Sequence, residues 1–247
     1  MTAAGNQPGS SDTETAGAPP QDLRSLSGLL LIACVFAAAG GYMDAYSYLE
    51  HGHVFANAQT GNFVFFAIYA SGGQWSQAMR HLPPIAAFAL GVATAQFLGV
   101  RPEKRTFRAT LLCEMFEFAI LAVLTVIGSY LPDQWIVPII SFSAALQNTS
   151  FSKLGPWSFN SAMTTGNLRN ATSGSVLWVG GRDPEKNRAE AVALGLICLS
   201  FLVGALSGGT YTRLDRTHAL GPCAGFVAIG ALLTWKERTR RIRKLIV

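Results

Sequence analysis

The chain has 247 residues, of which 50% are apolar and only 13% are charged, with a mean hydropathy of +0.31. Soluble domains carry about a quarter charged residues, so this composition excludes an ordinary soluble enzyme and indicates a membrane protein. The formal net charge is +5, but the basic residues cluster beside apolar blocks rather than among aromatic side chains. We therefore expect the lipid bilayer as a partner, and no nucleic acid.

The first 25 residues are predicted to form a disordered cytoplasmic tail. Residues 1–22 are rich in Gly, Ser, Thr, Pro and Ala, and they hold too few apolar groups to offset the entropy of ordering. A cleavable secretory leader begins with a short basic region and runs directly into an apolar stretch, and this segment does neither. We therefore interpret residue 26 onward as a retained first membrane helix.

Apolar blocks then follow in an order that predicts six membrane-spanning helices. A helix needs about 20 apolar residues to cross a hydrocarbon core of about 30 Å. Two further apolar blocks, residues 60–71 and 165–179, measure only about 18 and 22 Å at 1.5 Å per residue, so we expect half-helices that do not cross. The predicted spans are residues 26–49, 82–100, 109–131, 135–152, 189–211 and 220–235.

The distribution of basic residues predicts the topology. The two strongest basic segments are residues 101–108 and the C-terminal tail at 237–247, and the positive-inside rule puts both in the cytoplasm. An even number of crossings must then separate them, so only two of the three apolar blocks after residue 152 can cross. Six spans satisfy this condition and place both termini in the cytoplasm, whereas eight spans would put one basic cluster outside.

The two half-helices begin with the same tripeptide, Thr60-Gly61-Asn62 and Thr165-Gly166-Asn167. Each is followed by a Gly-Gly break, and each follows a predicted span that ends in polar residues. This ordered series predicts a duplication, with residues 26–131 as the first membrane repeat and 132–236 as the second. Three crossings per repeat is an odd number, so the second repeat must be inverted relative to the first.

The tripeptides belong to a wider set of motifs that resembles a known family. The set comprises Gly41-Tyr42-Met43-Asp44-Ala45, Val54-Phe55-Ala56-Asn57, Leu146-Gln147-Asn148 and Met163-Thr164 directly before the second tripeptide. Together they resemble the YoaK family of bacterial integral membrane proteins, over about residues 26–235. The resemblance implies a multi-pass protein of the bacterial inner (plasma) membrane and supplies no activity.

The starts of the half-helices are the candidate functional site. Thr and Asn side chains can cap free backbone N–H groups, and Gly permits close approach of backbone or ligand. In an inverted repeat, both positive helix ends converge near mid-bilayer, where an anion or a neutral polar solute could bind. The predicted site residues are Asp44, Asn57, Thr60, Gly61, Asn62, Gln147, Asn148, Thr165, Gly166, Asn167 and Arg169.

Several charged residues allow two interpretations. Asp44 could face the bundle interior and pair with Arg169 or the Gln147-Asn148 amides, or it could lie at the outer interface in contact with water. Arg169 could hold an anion or lie at the interface. Glu114 and Glu117 share one helix face, and we expect them to extend to the cytoplasmic interface because they follow the basic loop.

Two functional hypotheses remain. The first is a secondary transporter or channel for a small anionic or polar solute, and the alternative is a non-transporting membrane scaffold or partner-binding protein. No nucleophile elbow, phosphate-binding loop or His-Glu-x-x-His helix occurs, so we expect neither an enzyme nor a cofactor. His51 and His53 lack further ligands for a metal. Small residues permit close helix contacts within one chain or in a homo-oligomer: Gly91, Gly195, Gly204 and Gly208.

Overall fold

The computed structural model describes residues 23–97, 107–151, 153–154, 157–160 and 164–246. Helices dominate these residues, which confirms the predicted all-α class, and a two-residue antiparallel pairing joins Lys153–Leu154 to Trp157–Ser158. Residues 1–22 of the predicted tail and residues 101–106 of the basic loop at 101–108 lie outside the described residues. The helices are α1 (Leu23–Glu50), α2 (Gln59–Ser71), α3 (Trp75–Ala78), α4 (Leu82–Phe97), α5 (Phe107–Ile127), α6 (Asp133–Ser150), α7 (Thr164–Val179), α8 (Pro184–Leu214) and α9 (Leu220–Ile246).

The helices extend beyond the apolar blocks mainly at charged ends. Helix α8 begins at Pro184, five residues before the predicted span, because Pro fits the first turn of a helix and the charged residues after it are tolerated there. Helix α9 continues to Ile246, so residues 237–246, predicted as a separate tail, are helical. Arg and Lys are strong helix formers, which accounts for this extension.

Among the described residues, three stretches are long and apolar enough to cross a membrane by themselves: Ser27–Glu50, Ala109–Tyr130 and Pro184–Leu214. Helix α4 has 16 residues and helix α6 has 18, with Pro138 inside α6. The count of six spans therefore stays a prediction. Large apolar side chains are exposed along the long helices, including Leu90, Val126 and Leu206, and such a surface suits lipid rather than water.

The helix packing has the same pattern in both halves of the chain. Helix α1 packs most extensively on α8, and α4 packs on α6; α2 and α7 lie on α4 and α8 respectively. The contact between α1 and α9 corresponds to the contact between α6 and α5. Helices α5 and α9 also pack on each other. Exchanging α1 with α6, α2 with α7, α4 with α8 and α5 with α9 maps this set of contacts onto itself.

Glycines allow α1 and α8 to approach closely. A Cβ atom added to Gly204 would overlap the carbonyl oxygen of Ala38, and one added to Gly41 would overlap that of Phe201. At Gly208 the added atom would lie 2.9 Å from the Cα of Tyr42. The backbones of α1 and α8 are therefore in contact along this interface.

Replacing Gly204 by Ala should destabilise the protein, because the new methyl group can fit only if the two helix backbones separate. We expect a lower Tm in detergent, corresponding to about 1–3 kcal/mol of overpacking. Gly195→Ala on the same helix is the matched control, since its added Cβ has no neighbour within 4 Å. Equal Tm values for the two variants would show that α1 and α8 are not in backbone contact.

Candidate functional site

The Asn of each tripeptide fastens the loop that precedes its half-helix. The Asn62 side chain accepts a hydrogen bond from the Phe55 backbone N–H at 2.9 Å and donates one to the Phe55 carbonyl at 2.8 Å. The Asn167 side chain does the same with the backbone of Asn160, at 3.1 and 2.6 Å. In both halves the partner lies seven residues earlier, so one amide satisfies two partly buried backbone groups.

We call these two pairs of hydrogen bonds the Asn62 clamp and the Asn167 clamp. The Asn62 clamp has additional hydrogen bonds that hold it in place. The Asn62 amide nitrogen also donates to the Gln59 side chain at 2.8 Å, and Gln59 in turn donates to the Ala56 carbonyl at 2.8 Å. A buried His81 ring nitrogen lies 3.3 Å from the Asn62 oxygen, and this ring stacks on Phe65. We did not predict His81 as a site residue from the sequence. Its position directly before the predicted second span is the one sequence feature that could have indicated it.

Asp44 provides the cap that the sequence assigned to Thr and Asn side chains. Its Oδ1 accepts hydrogen bonds from the backbone N–H groups of Asn57 at 2.7 Å and Ala58 at 3.4 Å. Ala58 is the N-cap of α2 and makes no side-chain cap of its own. Asp44 is 5% exposed, so the interface interpretation was wrong. The suggested pairing with Arg169 does not form either, because Arg169 is exposed and Asp44 binds backbone instead.

Two oxygens beside this cap have no hydrogen-bond partner among the described residues. They are Asp44 Oδ2 and Asn57 Oδ1, and both are buried. The Asn57 side-chain nitrogen lies 3.4 Å from the carbonyl oxygen of Gly40, one turn before Asp44 on α1. Both unsatisfied oxygens therefore lie where the segment before α2 packs against α1. We call this place the α1–α2 junction.

A cavity of about 850 Å³ lies between the two half-helix starts. Helix α8 lines it from Phe201 to Arg213, so the cavity extends towards the C-terminal end of that helix. Of the predicted site residues, four line the cavity: Asp44, Thr60, Thr165 and Gly166. The other seven do not line it: Asn57, Gly61, Asn62, Gln147, Asn148, Asn167 and Arg169.

The two tripeptide glycines have different surroundings. A Cβ atom added to Gly61 would lie 2.8 Å from the ring of Phe55, so this Gly permits close packing of an aromatic side chain. At Gly166 the added atom would have no neighbour within 4 Å. The second half-helix thus presents open space to the cavity, whereas the first is covered by Phe55.

Gln147 occupies the place in α6 that Asp44 occupies in α1. Ser47 donates to the Asp44 carbonyl at 3.3 Å, and Ser150 donates to the Gln147 carbonyl at 2.8 Å. Gln147 is buried and Asn148 is half-buried. The same serine geometry therefore recurs around an acidic side chain in the first half and a neutral amide in the second.

Glu114 and Glu117 are buried, so the expectation that they extend to the interface was wrong. Thr234 on α9 donates a hydrogen bond to Glu114 at 2.9 Å, and Glu117 is one turn further along the same face of α5. Both carboxylates are at most 1% exposed. The signal in the sequence was their shared face, together with a Thr in the apolar part of the helix that α5 packs against.

His51 joins the loop after α1 to the start of α6. One ring nitrogen lies 3.2 Å from an Asp133 carboxylate oxygen and the other lies 3.0 Å from the Tyr46 hydroxyl. Burial lowers the pKa of His51 below 6.5, and the nearby Asp133 and Glu50 carboxylates offset part of this effect. His51 therefore serves as a link between the two halves rather than as half of a metal pair with the exposed His53.

Removing either Asn clamp should destabilise the protein. Asn62→Ala and Asn167→Ala each remove the amide that pairs a partly buried N–H and carbonyl, at a cost of up to about 1–3 kcal/mol per group. Thermal unfolding in detergent should show a lower Tm for both variants, while the exposed Asn170→Ala should behave like the parent protein. Unchanged Tm values for both clamp variants would show that these hydrogen bonds do not hold the loops.

Acidification should weaken the fold through His51. Because the folded pKa is lowered, the unfolded chain binds the proton more readily, so the free energy of unfolding falls as the pH drops below about 6.5. Measuring Tm against pH should show a smaller fall for His51→Gln than for the parent. His53→Gln is the matched control and should retain the full fall; the same slope in all three proteins would contradict the role of His51.

Comparison with known proteins supports the resemblance found in the motifs. A family model described as "Protein of unknown function (DUF1275)" matches residues 32–233. The chain is 27% identical over 144 residues to the UPF0700 transmembrane protein YoaK of Bacillus subtilis (strain 168), a match that covers 57% of this chain and 63% of that protein. No solved structure matches the chain. The chain therefore belongs to the DUF1275 family of proteins of unknown function, with YoaK as a transmembrane relative.

Proposed function

We propose that the protein is a secondary transporter or channel for a small anionic or polar solute. The observation that carries this proposal is the cavity of about 850 Å³ that receives the starts of both half-helices. Thr60 comes from the first half, and Thr165 and Gly166 come from the second. Irregular backbone is tolerated at membrane depth where it lines such a cavity, and in transporters these places bind the solute.

The start of α7 is the part of the cavity best suited to a solute with hydrogen-bond acceptors. Free backbone N–H groups and the positive end of the helix dipole favour anionic or partially negative groups. Thr165 and Gly166 are exposed there, so no described side chain covers these two residues. The exposed Arg213 on α8 adds a positive charge to the cavity wall, which favours the approach of anionic groups.

The proposed architecture has six spans and two half-helices in inverted repeats, in a bacterial inner membrane with both termini in the cytoplasm. The exchange symmetry of the helix contacts and the equal reach of the Asn62 and Asn167 clamps support a duplication. The basic residues at 101–108 and 237–247 support the orientation. We further propose that the protein catalyses no covalent chemistry, because the cavity lining includes no nucleophile paired with a base.

A membrane scaffold is the second candidate, and one observation favours it. Asn62 and Asn167, the most distinctive residues of the tripeptides, bind backbone rather than facing the cavity. Their presence is therefore explained by packing alone. The cavity favours transport over the scaffold, because a purely structural junction has no reason to leave open space beside Gly166.

Filling the space beside Gly166 should abolish solute binding without unfolding the protein. Gly166→Leu places a side chain in the cavity, where its Cβ meets no atom within 4 Å. We expect one member of a panel of small anions and neutral polar metabolites to raise the Tm of the parent protein and to have no effect on Gly166→Leu.

The matched control is Gly195→Leu, which also enters open space but does not line the cavity. It should keep the solute-induced shift. A shift that survives in Gly166→Leu would contradict binding at this cavity. If no solute in the panel shifts the Tm of the parent, the scaffold becomes the preferred function.

A further inference from the structure

The two oxygens of the Asp44 carboxyl group have different surroundings. Oδ1 accepts two backbone hydrogen bonds from the chain entering α2, at 2.7 and 3.4 Å, while Oδ2 has no described partner. The side chain is more than nine-tenths buried, yet it contributes to the cavity wall. A carboxylate oxygen that is withdrawn from water and has no donor is costly, so Oδ2 needs a partner that the protein does not supply.

No described cation forms a salt bridge with Asp44. The titratable or charged groups that share the cavity with it are Tyr48 on its own helix and Arg213 on α8. The α2 start contributes Gln59 and Thr60, and the α7 start contributes Thr164 and Thr165, all uncharged.

We propose that Asp44 is a proton-binding site of this cavity and that it carries a proton in the conformation described. The proton resides on Oδ2 and converts that oxygen from an acceptor without a donor into a donor. Asn57, whose backbone already binds Oδ1, has a buried side-chain oxygen that lacks a donor, and this atom is the matching acceptor. One proton taken from water in the cavity thus satisfies two oxygens.

A proton fits this junction better than a metal cation. Sodium and larger ions need several oxygen ligands around one point, whereas the described residues offer two buried side-chain oxygens without a donor at this junction, Asp44 Oδ2 and Asn57 Oδ1. A proton needs only one acceptor.

The proposal has a consequence for transport, which rests on the proposed function. Release of the proton leaves a negative charge beside the half-helix starts, and uptake removes it. The charge of the cavity wall, and hence its affinity for an anionic solute, would then depend on the protonation of Asp44. Coupling of solute movement to a proton gradient follows from that dependence.

Infrared spectroscopy of the full chain in lipid vesicles tests the protonation directly, without any solute. The expected result at neutral pH is a carbonyl band of a protonated carboxylic acid that is present in the parent and lost in Asp44→Asn. Glu117→Gln is the matched control, since it removes another buried carboxyl group and should keep the Asp44 band. Because Asp44→Asn could fail to fold, Asn57→Leu provides a second variant, in which the band should remain and shift to higher frequency.

An acid carbonyl band that is the same in the parent and in Asp44→Asn would overturn the proposal, as would a band that does not respond to Asn57→Leu. Stabilisation by sodium chloride over choline chloride at fixed pH, abolished by Asp44→Asn, would also overturn it in favour of a metal cation. These results are independent of the solute panel, so a failure here is distinguishable from a failure of the proposed transport function.

Discussion

The structure depends on satisfying the backbone hydrogen bonds of the two loops that lead into α2 and α7. A backbone N–H or carbonyl group that is withdrawn from water and left unpaired costs free energy, and in a membrane this cost reaches several kcal/mol. Asn62 and Asn167 meet this requirement with one amide each, bonded to the backbone seven residues earlier. Once both loops are fastened, the half-helices begin at fixed positions and their free ends define the cavity.

The two halves solve the same packing problem with different chemistry around the cavity. In the first half Asp44 caps the start of α2, and Phe55 packs over Gly61. In the second half Gln147 stands in place of Asp44, and Gly166 faces open space. The shared clamps recur in both halves, while these differences give one cavity both an acidic group and an open helix start.

Much of the fold could be predicted from the sequence, because apolar blocks and repeated tripeptides are local patterns. The predicted half-helix at 60–71 begins one residue after Gln59, the first residue of α2, and the one at 165–179 begins one residue after Thr164. We expected the two starts to converge because we predicted an inverted repeat, and residues from both starts do line one cavity. Side-chain roles were harder, because Asn62 and a capping Asn look alike in sequence although their partners differ.

The partners that the sequence could not supply are distant along the chain or depend on rotation about a helix axis. Asp44 meets the backbone of Asn57 thirteen residues later, and Glu114 meets Thr234 across 120 residues. The snorkelling expected for Glu114 assumed a lipid-facing side, whereas α9 covers that face of α5. Hydropathy locates a helix in the bilayer but does not fix which face its neighbours cover.

The central claim is that half-helix starts from both repeats open into one cavity, and cysteine accessibility tests it most directly. Thr60→Cys and Thr165→Cys, each in a background without the four native cysteines, can be labelled in sealed vesicles with a membrane-impermeant thiol reagent. Thr217→Cys, exposed in the connection after α8, marks the side on which that helix ends. The account predicts that both positions react from the side marked by Thr217→Cys, whereas labelling of the two from opposite sides of the membrane, or of neither, would contradict it.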